Sequence, residues 1–245
     1  MARRPAKKPA APKSKAAGRK KAAAKKAAGT SASARGDTSA RGDAAASLRA
    51  ALLAEMATLG WRDLTYTDIV AASGVPLADA YRIYQSKMGV LLGVVGATDR
   101  TLLESLDQEP LDGSPRDRLF DLIMRRFDQH GEHRPAFSAL LRDLRHHPLE
   151  ALCLTARVER SMALLLDLAG VPSSGLRGLL RTKALAALYF HVFGRWLKDE
   201  SADSAATMAL LDKRLEQVER TLGFIHRVRP HHRSPDDTGQ PAAAH

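Results

Sequence analysis

The sequence predicts an all-α fold, and three observations carry that reading. From residue 45 onward, apolar residues recur at spacings of three and four, the period of a helix with one buried face. No run alternates apolar and polar residues for long enough to make a half-buried strand. Turn signals divide the periodic runs at Gly60, at Gly74, across 108–115 (Asp112-Gly113, Ser114-Pro115) and at Gly170 with Pro172 behind it.

Before residue 45 the chain is of a different kind. Residues 1–44 contain no Leu, Ile, Val or aromatic residue. A segment with so little apolar surface to bury cannot offset its chain entropy, so a disordered arm is expected. It holds thirteen Lys or Arg against two Asp, so the whole net charge of +11 sits on it. The 25 basic residues that remain are balanced by 25 acidic ones. Such an arm reads either as a polycation that displaces counterions from nucleic acid or as a solubilising tail. The repeated Ser-Ala-Arg-Gly-Asp at 33–37 and 39–43 reads as low-complexity duplication.

The first helix is expected over 46–59, with Leu48, Leu52, Met56 and Leu59 on one face and Gly60 closing it. Thr65 with Asp68 three residues later has the form of a capping box, which starts a short helix to Ser73. Gly74 then supplies a left-handed turn, and Pro76 suits the first turn of a helix running to about Tyr84. Another helix begins at 86–87 and runs to about 106. Residues 45–92 therefore form a small helix-turn-helix module, and 93–228 a larger helical domain. Within that domain, helices are expected over 116–130, 135–146, 149–169, 175–197 and 204–227. Residues 229–245 read as a disordered polar tail.

The last two helices are the most apolar. The first carries Leu188, Val192 and Trp196 among many others, too much for a one-sided surface helix. The second places Met208, Leu211, Leu215, Val218 and Leu222 at alternating spacings of three and four, a narrow helix–helix seam. That seam either packs within one chain or joins two. It is read here as the interface of a homodimer, with Leu188, Val192, Trp196, Leu211, Leu215, Val218 and Leu222 in it.

Hydrophobic residues are 44% of the chain and charged residues 27%, ordinary for a soluble globular protein. The lone Cys153 cannot form an internal disulfide, and no apolar signal segment or 18-residue apolar run is present. A cytoplasmic, nucleoid-associated protein with no membrane span is expected. Glycine-rich phosphate loops, His-Glu-x-x-His, paired cysteines and Gly-x-Ser-x-Gly are absent, so neither an enzyme nor a cofactor is expected. His130, His133, His146 and His147 fall near helix ends and read as caps or solvated groups rather than metal ligands. Cys153 reads as a small buried hydrophobe. Phe120, Met124, Phe127, Leu141, Met162 and Phe190 are candidates for lining a ligand cavity, with plain core as the other reading.

The segment Leu48-Arg-Ala-Ala-Leu-Leu … Gly60-Trp … Leu64-Thr65 … Asp68-Ile69 … Ser73-Gly74-Val75 … Ala80-Tyr81-Arg82-Ile83-Tyr84-Gln85-Ser86-Lys87 … Leu91-Leu92 resembles the DNA-binding domain of TetR-family transcriptional regulators. The resemblance covers roughly 45 residues. It implies a three-helix DNA-binding module, with a larger helical domain that takes a small apolar effector and dimerises through its last two helices. By matched position it implies that Tyr81 and Lys87 contact phosphates of double-stranded DNA and that Thr65 caps the second helix beside the backbone. Leu77, Ala80, Arg82 and Tyr84 would lie at the major groove or its edges. The recognition helix departs from the family in several respects: it offers few donors for base readout beyond Arg82, Asp79 would face phosphates, and Ile83 stands where some members place a phosphate-binding histidine.

A second resemblance lies further on. Trp196-Leu-Lys-Asp199-Glu-Ser201-Ala-Asp203 … Thr207-Met-Ala-Leu-Leu211-Asp212-Lys-Arg214-Leu215 is similar to the end of the TetR-like ubiquinone-biosynthesis accessory proteins. That resemblance implies the alternative of a lipid-presenting protein without specific DNA binding.

Overall fold

The computed structural model describes the backbone of residues 16–222 and the side chains of 39–201 and 203–220. The described residues are helical with no strand, in the order α1 (Ala16–Asp63), α2 (Tyr66–Ser73), α3 (Leu77–Ile83), α4 (Lys87–Gln108), α5 (Pro115–Asp128), α6 (Arg134–Leu144), α7 (Pro148–Leu168), α8 (Gly175–Trp196) and α9 (Ala205–Leu222). Among them no helix is long and apolar enough to cross a membrane.

The start of α1 differs from expectation. Over residues 16–44, where composition predicted a disordered arm, the backbone is helical and continuous with the helix that enters the core. Lack of apolar surface excludes a packed core but not a helix, and Ala, Lys and Arg have high intrinsic helix propensity. The expectations for residues 1–15 and for the 229–245 tail lie outside the described residues. At the other end of α1 the helical dihedrals break at Gly60 (φ 80°, ψ 171°), as its position before Trp61 predicted.

Leu48, Leu52, Met56 and Trp61 of α1 are fully buried, joined by Leu64 of the connector and by Ile69, Ala80, Val90 and Leu91 from the next three helices. This is the N-terminal part of one continuous core. It continues among α4 to α9, with Leu122, Ile123, Phe127, Met162, Leu165, Leu185, Val192, Trp196 and Leu211 all buried. Its centre is aromatic: the Phe127 ring lies 5.5, 5.8 and 5.4 Å from those of Tyr189, Phe193 and Trp196.

Two features hold the larger domain together beyond apolar packing. Asp99 of α4 is paired with Arg126 of α5 and, at 2.7 Å, with Arg157 of α7, and Ser161 donates to it at 2.7–2.8 Å. Burial pushes the Asp99 carboxyl up, but the two guanidinium groups and Ser161 outweigh it and hold it below the usual range. Asp199 sits at the turn before α9 and accepts from the N–H and hydroxyl groups of both Ser201 and Thr207. Those donors, led by the two hydroxyls, hold its carboxyl well below the usual range. The segment similar to the quinone-biosynthesis proteins is thus a capping turn for the last helix, a structural job that requires no lipid.

The seam on α8 and α9 is a correction. Leu188, Val192, Trp196, Leu211 and Leu215 are buried within the single chain, and Val218 packs against the same core. They are satisfied intramolecularly because α8 and α9 pack on each other and α9 also packs on α5. The side chain of Leu222 lies outside the described residues. Cys153 is also corrected: it is exposed, on the outer face of α7 beside Leu149 and Leu152.

Candidate nucleic-acid interface

The helix-turn-helix is built by local signals. The Thr65 hydroxyl accepts from the Asp68 N–H at 3.2 Å, and the Asp68 carboxylate accepts the Thr65 N–H at 2.9 Å, closing the capping box at the start of α2. Bonds from the Thr65 hydroxyl and N–H hold the Asp68 carboxyl below its usual range, so it stays ionised against the helix N-terminus. Gly74 ends α2 at φ 67°, a left-handed conformation that a β-carbon would resist. Pro76 caps the seven-residue α3.

On α3 the outward face is short and mixed. Leu77 is 56% exposed and Tyr81 57%, and Ala78, Asp79 and Arg82 are also exposed. Ala80 is 0% exposed, which corrects its expected place at the groove. Its methyl group packs into the core of the module, where the small side chain lets α3 approach the other helices. Arg82 donates to Asp79 at 2.5 Å, with both side chains mostly in solvent. A surface pair of this kind is worth about 0–1 kcal/mol, so it can exchange Asp79 for a phosphate.

Tyr84 and Lys87, both expected to contact DNA, are turned to internal tasks. The Tyr84 hydroxyl accepts from Arg49 of α1 at 2.9 Å, its carbonyl accepts from the Tyr66 hydroxyl at 2.6 Å, and its ring lies against Gly93 of α4. A β-carbon at Gly93 would come within 2.5 Å of that ring. Lys87 opens α4, and its ammonium donates to the carbonyls of Trp61 and Leu64 at 2.6 and 2.7 Å and sits 4.4 Å from the Trp61 ring centre. Burial lowers the Lys87 pKa, opposed by the carboxylates of Glu150, Asp143 and Asp63. Lys87 therefore clamps the end of α1, whose last carbonyls have no helical partner. From sequence alone a lysine at a helix start reads as a phosphate contact; its true acceptors are 23 and 26 residues away.

The same corner joins the module to the larger domain. Asp143 at the end of α6 accepts the backbone N–H groups of Trp61 and Arg62 at 2.9 and 3.2 Å, and Glu150 of α7 accepts the Trp61 indole N–H at 2.5 Å. Burial pushes the Asp143 carboxyl up, but the Arg62 N–H, the Arg142 side chain and the Trp61 N–H outweigh it and hold it low. Gly60 leaves room for this approach, since a β-carbon there would meet the Asp143 carboxylate at 3.0 Å.

A feature missed from sequence lies on the other side of the module. A groove of about 680 Å³ runs between the 40–47 stretch of α1 and the α2–α3 turn, with Arg41 on one wall and Asp79, Arg82 and Ile83 on the other. The 40–47 stretch, expected as the end of a disordered arm, is thus helical and runs beside α3. The signal was the continuous Ala/Lys composition, read only for its failure to bury surface.

The six residues expected to line an apolar cavity do not gather around one. Phe127 and Met162 are fully buried, and the aromatic stack fills the space beside Phe127. Phe190 packs edge-on to Tyr189, and Phe120 borders a surface groove with Met208 of α9. Met124 and Leu141 are half-buried against the core. A hollow in this domain lies elsewhere, between the start of α5 and the α7–α8 turn. His130 is buried against Phe137, and burial, with Arg126 and His133 nearby, pushes its pKa down to about 3. Thr98 gives its hydroxyl proton to the Val94 carbonyl, so the His130 Nε2–H donates to the Thr98 oxygen at 3.2 Å and the ring is neutral. Among the described residues no three His, Cys, Asp or Glu side chains converge on a point that could hold a metal ion.

The sequence matches no protein-family model and no curated protein. The structure is similar to a TetR transcriptional regulator from Nitrosomonas europaea ATCC 19718, at 21% identity and a TM-score of 0.58, covering 71% of this chain and 96% of that one. It is also similar to a TetR transcriptional regulator from Rhodococcus sp. RHA1, at 17% identity and a TM-score of 0.49, covering 75% of this chain and 97% of that one. The chain has the TetR-regulator fold.

Proposed function

We propose that this protein is a DNA-binding transcriptional regulator of the TetR type, acting as a homodimer whose grip on DNA responds to a small effector. One observation carries the reading: α3 is a short helix on a helix-turn-helix with Leu77, Tyr81 and Arg82 turned outward. Tyr81 and Arg82 reach the phosphates or base edges, and Leu77 offers an apolar contact to a thymine methyl group. Thr65 lies at the module's edge, where its helix start faces the backbone. The basic first segment, carried alongside by α1, supplies the sequence-independent attraction that the balanced module lacks.

Helix-turn-helix proteins read two half-sites about 34 Å apart, which needs two copies in fixed register. With the seam residues used within the chain, the pairing surface is the outward side of α8. It carries Leu176, Leu180, Ala187 and His191, beside a groove of about 340 Å³ shared with α9. An effector in the larger domain shifts the balance between two spacings of the recognition helices, and the Trp61 corner is the route from one domain to the other.

A gel-shift titration of the full chain against DNA from upstream of its own gene tests this. A preferred duplex is expected, and Tyr81→Ala with Arg82→Ala should abolish the preference while leaving salt-sensitive binding to any DNA. If the full chain binds unrelated duplexes as well as its own upstream DNA, the regulator reading fails.

A further inference from the structure

The geometry points to a binding site for an apolar molecule carrying one oxyanion, between the start of α5 and the α7–α8 turn of the larger domain. It rests on the effector part of the regulator reading but locates and names the ligand chemistry. A cavity of about 950 Å³ lies between the start of α5 and the α7–α8 turn. Its walls are largely apolar, with Pro115 on one side and Leu168, Val171 and Pro172 on the other. That volume is at the upper end of what small-molecule sites use.

Arg118 of α5 gives the cavity its chemistry. Its side chain is half-buried, its Nε is buried without a partner, and among the described residues its guanidinium makes no hydrogen bond or ion pair. The guanidinium spans the cavity toward the opposite turn, for its Nη1 lies 3.8 Å from where a β-carbon on Gly170 would be. An arginine held half out of water with no acceptor loses hydration without return, and a bidentate oxyanion is the partner its planar fork fits. The carboxylates at hand are already used. Asp117 accepts the N–H and hydroxyl of Ser114, and both oxygens of Asp167 accept from Ser173. Ser174, the cap of the 22-residue α8, makes no side-chain capping bond, so its hydroxyl is a second donor on the cavity wall.

Neither feature would suffice alone. A surface arginine without a partner is common, and an apolar hollow says nothing of charge. Together they select an amphipathic anion over a neutral apolar molecule. The shared chemistry is an oxyanion on an alkyl or aryl body, whether carboxylate or phosphate.

Calorimetric titration of the full chain without DNA, using decanoate, decyl phosphate and decanol below their aggregation concentrations, tests the site. At least one anion should bind with one-to-one stoichiometry and on the order of tenfold more tightly than decanol, the scale of one hydrogen-bonded charge pair. The anion that binds tells carboxylate from phosphate. Arg118→Gln should reduce it to the decanol level at unchanged thermal midpoint, and Arg118→Lys should restore part of the difference. Equal affinity for decanol and both anions, unchanged anion affinity in Arg118→Gln, or no binding of any probe overturns the site. A failure of sequence preference on DNA would leave this result standing, and the reverse also holds.

Discussion

The indole N–H of Trp61 donates to the carboxylate of Glu150 at 2.5 Å, across the join between the N-terminal module and α7. The same residue's backbone N–H is held by Asp143 and its carbonyl by Lys87, so this one residue engages α4, α6 and α7 together. Trp61→Phe removes the indole donor and leaves part of a fully buried ring's volume unfilled. It should cost about 2–4 kcal/mol in urea denaturation, from the lost bond to a charged acceptor and the cavity together. Glu150→Gln in the same background should add less than it does alone, since the two act through one bond.

Lys87 separates two meanings of a lysine in a DNA-binding module. Because its ammonium closes two carbonyls at the end of α1, Lys87→Ala should destabilise the fold by about 1–3 kcal/mol. The salt dependence of DNA binding should keep its slope. A slope flatter by about one unit, with unchanged stability, would show that the lysine meets a phosphate instead.

The two faces of α3 should respond oppositely. Ala80→Leu overfills a fully buried position and should cost about 1–3 kcal/mol in thermal or urea unfolding. Leu77→Ala, on the exposed side, should change stability by no more than about 0.5 kcal/mol and weaken specific DNA binding.

These contrasts show which parts of the site the sequence made legible. Gly60, the Thr65–Asp68 box and Gly74 are local signals, and all three stand where expected, while Ser114-Pro115, expected in a linker, caps and opens α5. The roles of Ala80, Tyr84 and Lys87 depend on what lies across from them, and those partners come from other helices. Likewise, a three-four seam on α9 identifies a packing face but carries no record of whether α5 and α8 or a second chain will cover it.

His130 makes acid stability a readout of packing among α4, α5 and α6. Its pKa is about 3 in the folded protein against an ordinary 6.5, so below pH 6.5 the unfolded chain takes up a proton that the folded one refuses. Stability contributed by the neutral ring is complete above pH 6.5 and is lost progressively as pH falls toward 3. Between pH 7 and 5 the wild type should lose about 2 kcal/mol more than His130→Gln, measured by urea unfolding at each pH.

The pairing surface can be told from the core by two substitutions on α8. Ala187→Arg, on the outward side, should shift the sedimentation coefficient from dimer to monomer and leave each chain folded. Val192→Ala, fully buried, should cost about 1–3 kcal/mol of unfolding free energy without a specific effect on association.

The single run of α1 from Ala16 into the core has a bearing on which length variants this protein tolerates. A floppy leader can gain or lose a residue anywhere without harm. Here, inserting one residue near position 45 would swing everything upstream by about 100° around the helix axis and push it out by about 1.5 Å. Insertions or deletions in this stretch are therefore phase errors, and only changes near a multiple of about 3.6 residues restore the angular register of the upstream backbone with the core.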